Sequence, residues 1–239
     1  MNTNETNKYF LPAAVVVGCL FIAGAVIWNG SHPSAPTPSG ADTITVDIKN
    51  VKIDGNPFIG QANAPITIAF WSDFQCPFCR SVEVGGIPQI PTPPAVPDII
   101  KNYVDTGKVK IVFMDFPFLG EDSVTASLYN QSVWKLYPDT YFEWRTAIFE
   151  AQDEEGDQGF GDAASIDVLT ATIAGLDAAK IAADVKANIA VYQAKIDSDK
   201  VEAAKVGVNS TPSFVIGTQV IAGAYPYAKF QSAIDALLK

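Results

Sequence analysis

The apolar positions change period several times along the chain. Residues 65–72, PITIAFWS, are apolar at nearly every position, which predicts a strand buried on both faces. Residues 108–114, KVKIVFM, predict a second buried strand, and the alternation at 43–49 predicts an edge strand. Residues 98–105 read as a short helix, and 121–152 and 165–206 are helical in pattern. In the latter, Ile181, Val185, Ile189, Tyr192 and Ile196 recur at spacings of three and four, one face of a helix. Two short strands, 213–216 and 219–221, flank Gly217 and Thr218, a hairpin signal. Residues 226–238 close the chain as an amphipathic helix with Pro226 suited to its first turn. The predicted class is α/β. The thirteen residues 85–97, GGIPQIPTPPAVP, interrupt every period with five prolines and two glycines.

The N-terminus has a different pattern. Residues 11–28, LPAAVVVGCLFIAGAVIW, carry no charge over 18 positions. At about 1.5 Å per residue such a run roughly spans a bilayer core, and Trp28 suits an interfacial anchor. A cleaved signal peptide would have a shorter apolar region ending in small residues. A lipoprotein-type box at residues 16–19 would normally close the apolar run, whereas here the run continues beyond Cys19. The expectation is one uncleaved transmembrane helix. Residues 1–10 are expected in the cytoplasm, because Lys8 precedes the span and the next Lys or Arg is Lys49. Residues 29–41, with three prolines among Ser, Gly and Thr, read as a tether to a folded body over 42–239.

The 239 residues carry a formal charge of −10, with 26 acidic against 16 basic side chains. Glu5 and Lys8 cancel within residues 1–41, so the excess lies on the body. An acidic body repels phosphate backbones, which argues against a nucleic-acid partner. The single histidine, His32, lies in the tether, so triads and dyads that need histidine are excluded from the body. The acidic loop 153–162 fails the EF-hand pattern, since Gln158 stands where glycine is required, and it reads as solvated. Trp134, Tyr141, Phe142, Trp144 and Phe149 read as helical core, and neither a metal nor a cofactor is expected.

The chemistry concentrates at Cys76-Pro77-Phe78-Cys79, directly after a predicted strand and at the start of a predicted helix. A cysteine at a helix N-terminus meets free N–H groups and the positive end of the helix dipole, so its thiolate is favoured. Pro77 falls in the first turn, where its missing N–H costs nothing. Cys79, three residues on, can close or resolve a disulfide. A zinc ribbon would need a second such pair, which the chain lacks. A purely structural disulfide across so short a loop would restrict the unfolded chain little.

Four segments carry a resemblance. WSDFQCPFCR over 71–80 is similar to the active-site segment of DsbA-like thiol-disulfide oxidoreductases, in particular their membrane-anchored, BdbD-like branch. GVNSTPSFVIG over 207–217 resembles the cis-proline segment of that family, DFPFL over 115–119 the end of its next strand, and residues 223–238 its closing helix. The resemblance implies a thioredoxin-like fold with a helical insertion at about 120–205. It implies that Cys76 attacks, Cys79 resolves, and Thr211-Pro212 is a cis bond that presents backbone to a substrate strand.

The chain departs from the family in two places and from its strongly oxidising members in a third. Phe70 stands where the family often has a buried glutamate, and Asp73, the nearest acid, either stands in for it or is simply a turn residue, the favoured reading. The proline-rich stretch also interrupts what is usually a longer helix, leaving either a substrate groove or a solvated insertion. Phe78 replaces the histidine of strongly oxidising relatives, which implies a less oxidising protein.

The function expected is an extracytoplasmic oxidase of exported proteins, recharged by a quinone-coupled membrane partner resembling DsbB, BdbC or a vitamin K epoxide reductase homologue. A reductase or isomerase using the same cysteines, and a non-catalytic peptide-binding or chaperone module, are the alternatives.

Overall fold

The computed structural model describes residues 46–153 and 159–239. The expected anchor at 11–28 and its tether lie outside them. Among the described residues no helix is long and apolar enough to cross a membrane.

A five-stranded sheet forms the centre, in the order β1-β3-β2-β4-β5. Its strands are β1 (Phe58–Ile59), β2 (Ile66–Ser72), β3 (Val109–Asp115), β4 (Ser213–Ile216) and β5 (Gln219–Ala222). Strands β2 and β3 run parallel, and the other pairs are antiparallel. Both faces of β2 are covered, which explains its continuous apolar run. Ile66, Ile68 and Phe70 point into the larger core, whereas Ala69 and Trp71 enter a second cluster with Met114, Val206 and Val208. Phe70 sits opposite both Phe113 and Phe214, stacked on the latter at 4.1 Å between centroids.

Helix α1 (Pro77–Glu83) follows β2. The chain then passes through the proline-rich stretch into α2 (Val96–Ile99) and a π-helical turn, Ile100–Val104. Gly85 and Gly86 take φ of 74° and 80°, values that favour glycine, and let the chain turn away as α1 ends. Among the described residues four helices lie between β3 and β4: α3 (Glu121–Leu136), α4 (Tyr141–Ala151), α5 (Ala163–Thr170) and α6 (Ala178–Lys205). This is the expected helical insertion. Helix α7 (Tyr227–Leu237) closes the chain.

Several sequence expectations need correction. The edge strand expected at 43–49 is not a strand where it is described: Ile48–Asn50 forms a 3₁₀ turn, because the Asp47 side chain accepts from Lys49 N (2.9 Å). The edge is supplied instead by the two-residue β1. Each of the two long helical patterns splits. Pro138 follows the end of α3, and Asp177 starts α6 afresh by accepting from Lys180 N at 3.0 Å. Ile189 is 54% exposed although Ile181, Val185, Tyr192 and Ile196 are buried. At about 100° per residue Ile189 lies about 50° to one side of the centre of those four and Asn188 about as far to the other, so both sit at the edges of the stripe, where Asn188 bonds Asp184. Of the expected helical core, Tyr141, Trp144 and Phe149 are fully buried, and Trp134 and Phe142 pack on it partly buried.

Candidate active site

Cys76 is the N-cap of α1 and Pro77 its first residue, so the strand-to-helix turn fixes where the sulfur stands. The backbone N–H of Cys76 donates to Asp73 O (3.1 Å), and those of Cys79 and Arg80 donate to Cys76 O. Cys76 is 4% exposed and Cys79 is fully buried; both are free thiols. Only Cys76 therefore offers any surface to a partner.

Their electrostatics are opposite. A hydrogen bond from Cys79, helped by the Thr211 hydroxyl and the N–H groups of Cys79 and Phe78, outweighs burial and holds the Cys76 thiol at about 7. Burial, reinforced by the charge and hydrogen bond of Cys76, pushes Cys79 well above the ordinary thiol range. Around neutral pH Cys76 is therefore the member of the pair that ionises, while Cys79 stays a thiol.

The Thr211–Pro212 segment, which precedes β4, meets the cysteines from the other side. The bond is cis, and Cys76 Sγ lies 3.6 Å from Thr211 O. Thr211 Oγ1 is buried and makes no hydrogen bond. Towards a thiolate the same hydroxyl becomes a donor. Phe78 is half exposed and contributes only its backbone N–H.

Asp73 is a turn residue and more. Its Oδ1 accepts from Gln75 N (2.9 Å) and Ser123 Oγ (2.6 Å), and its Oδ2 from Phe118 N (2.8 Å) and Leu119 N (3.2 Å). The carboxylate thus ties the cysteine turn to the segment leading into α3. Burial outweighs these four donors and raises its pKa. Gln152, just beyond α4, donates to Phe74 O (2.7 Å) and Cys76 O (3.1 Å), so the insertion also braces the cysteine loop.

Two buried groups beside this loop are not evident from motif reading. Arg145 on α4 reaches Glu83 on α1 and Ser72 on β2, with its guanidinium among the rings of Phe70, Phe74, Phe113 and Phe149 at 4.1–5.6 Å. Phe70, at the position where a family glutamate was expected, is therefore one wall of a cation–π cage. Asp115, at the end of β3, is raised to about 7 by burial and by Asp199, although Asn130 and Gln131 donate to it. The signal for Arg145 was its place on the apolar stripe of Tyr141, Trp144 and Ile148.

A family model described as "Thioredoxin" matches residues 52–236. "Disulfide bond formation protein D" of Bacillus subtilis (strain 168) is 25% identical over 190 residues, covering 78% of this chain and 79% of that protein. The "Probable disulfide bond formation protein D" of Bacillus anthracis is 24% identical over 182 residues, covering 76% and 77%. Among solved structures, oxidised BdbD from Bacillus subtilis superposes with a TM-score of 0.69 at 22% identity, covering 81% of this chain and 97% of that one. The thiol-disulfide exchange protein alpha-DsbA2 of Wolbachia pipientis gives 0.62 at 24% identity, covering 76% and 87%. With a family match over most of its length and a CxxC turn at the head of α1, the chain belongs to the thioredoxin family and resembles its DsbA-like thiol-disulfide oxidoreductases.

Proposed function

We propose that the chain is a protein disulfide oxidoreductase that donates a Cys76–Cys79 disulfide to exported proteins. A substrate thiolate attacks Cys76 Sγ, the Cys76–Cys79 bond breaks, and Cys79 leaves and takes up a proton. A second substrate thiolate then attacks the substrate sulfur of the mixed disulfide, and Cys76 leaves as a thiolate. Two electrons pass from the substrate to the chain, and one disulfide replaces another. The observation that carries this reading is the contrast between Cys76, held at about 7, and Cys79, held high. A low-pKa sulfur is the better leaving group, and a stabilised thiolate favours the reduced form, which makes the disulfide an oxidant.

The half-exposed rings of Phe78 and Phe118 support a polypeptide substrate, since apolar surface near a reactive sulfur suits a protein partner. Thr211 and Pro212 would present backbone to that substrate. The apolar run at 11–28 supports an anchor that holds the body outside the cytoplasm. Reoxidation would fall to a quinone-coupled membrane partner of the DsbB, BdbC or vitamin K epoxide reductase kind, which the family resemblance suggests.

The test is the redox state of the pair in growing cells, trapped by acid and alkylation. A mostly disulfide population is expected. A mostly dithiol population would favour the reductase or isomerase alternative, and full activity of Cys76→Ser would favour the peptide-binding one.

A further inference from the structure

Beside the cysteines lies a cleft of about 650 Å³ between the head of α1, the proline-rich stretch and the end of α4. Pro77, Ile87 and Pro88 give it apolar walls, and Arg80 is the cation among its lining residues. The Arg80 guanidinium is poorly satisfied. Nη1 donates to Gln152 O (2.5 Å), Nε is buried without a partner and so is closed to a ligand as well, and Nη2 has no hydrogen-bond acceptor among the described residues. Asp153, also in the lining, accepts from Phe160 N (2.6 Å), and among the described residues no carboxylate pairs with Arg80. A planar fork with one carbonyl acceptor and free donors matches a carboxylate, and apolar walls strengthen such a pair.

We propose that this cleft is a substrate subsite that binds an acidic side chain flanking the reactive cysteine of an exported protein, with Arg80 as its specificity-determining residue. The inference rests on the oxidoreductase reading above. Pro77 is shared between the cysteine motif and the cleft, so a segment whose cysteine meets Cys76 reaches Arg80 within a few residues. Gln152 couples the two places, accepting from Arg80 through its backbone and donating to Cys76 O through its side chain.

The sign of the effect separates this site from bulk electrostatics. A chain of charge −10 repels acidic peptides and attracts basic ones. A dedicated Arg80 site predicts the reverse order.

The test uses the oxidised full chain and cysteine peptides with Glu, Gln or Lys two or three residues to either side of the cysteine. Rates of thiol oxidation are read at moderate salt, with dithiothreitol as a small-reductant control. In at least one flank position the Glu peptide should react on the order of fivefold faster than its Gln counterpart. Arg80→Gln should erase that ratio, and Arg80→Lys should keep part of it. Because the readout is a ratio between peptides, a general loss of rate through a loosened Gln152 does not mimic it. Equal rates for Glu and Gln peptides, a Lys peptide reacting fastest, or a preference that survives in Arg80→Gln would overturn the subsite alone. Oxidation of none of the peptides while dithiothreitol still reduces the disulfide would overturn the oxidoreductase reading, and the subsite with it.

Discussion

Arg145 Nη2 lies 2.6 Å from Glu83 Oε1, and both side chains are only 1% exposed. The pair joins the helical insertion to the helix that carries both cysteines. Breaking a buried ion pair from one side leaves an uncompensated charge, which costs about 3–5 kcal/mol. Arg145→Met should therefore lower the unfolding free energy in urea by about that amount. The double variant Glu83→Leu/Arg145→Met should recover most of the loss, because the surrounding phenylalanines accept an apolar neighbour. A single variant as stable as the parent would remove this pair from the account of the core.

Asp115 predicts a pH dependence. Its carboxyl is raised from 3.8 to about 7, so the fold prefers it protonated. That preference is fully present below pH about 4 and is lost as pH rises through about 7. A difference of about 3 pH units at about 1.36 kcal/mol each sets a ceiling of about 4 kcal/mol, the repulsion of Asp199 included. Urea midpoints should fall between pH 5 and 8 in the parent. Asp115→Asn should flatten that slope even though its amide cannot accept every donor that Asn130 and Gln131 offer.

The Thr211 hydroxyl gives a thiol-specific prediction. Thr211→Val keeps the shape and the carbonyl near Cys76 but removes the donor. The Cys76 thiol should then titrate above about 7, and its alkylation by iodoacetamide should slow at neutral pH. Unfolding midpoints should barely move. An unchanged alkylation profile would show that the hydroxyl does not serve the thiolate.

What was legible in the sequence follows the range over which each feature is determined. The cysteine turn is local: strand, N-cap and Pro77 fall within a dozen residues, and motif reading placed them correctly. Thr211 and Cys76 are 135 residues apart, and only the family resemblance brought them together. Glu83 and Arg145 are 62 apart on two helices whose packing no period reports. The edge strand was misplaced because Asp47 offers its own turn a hydrogen bond, a competition that alternating hydrophobicity does not register. The proline-rich stretch announced an interruption, but not that its residues 86–89 would face Arg80 across a cleft.

Phe78 is 49% exposed, so it can be replaced without disturbing the core. Phe78→His would place an imidazole next to a thiolate now served by the backbone N–H of residue 78. The Cys76 pKa should fall below about 7 and the reduction potential rise, on the order of tens of millivolts. Equilibration with glutathione measures the second quantity directly. A potential that stayed constant or fell would contradict the thiolate-stabilisation account of oxidising power.

The roles of the two cysteines are separated by removing them one at a time. Cys76 has the lower pKa and keeps 4% of its surface exposed, whereas Cys79 is fully buried. With Cys79→Ala no internal disulfide can form, so the Cys76 thiolate meets substrate disulfides as a single thiol. Attack joins Cys76 to one substrate sulfur and releases the other, and no neighbouring thiol remains to break the new bond. Mixed disulfides should accumulate and appear on non-reducing gels as larger species that reductant removes. With Cys76→Ala the remaining thiol is buried and mostly protonated, so few such species should form. The reverse pattern, with complexes trapped by Cys76→Ala and absent from Cys79→Ala, would exchange the two roles. It would also mean that the buried sulfur becomes accessible when a substrate docks, which the static burial of Cys79 does not allow.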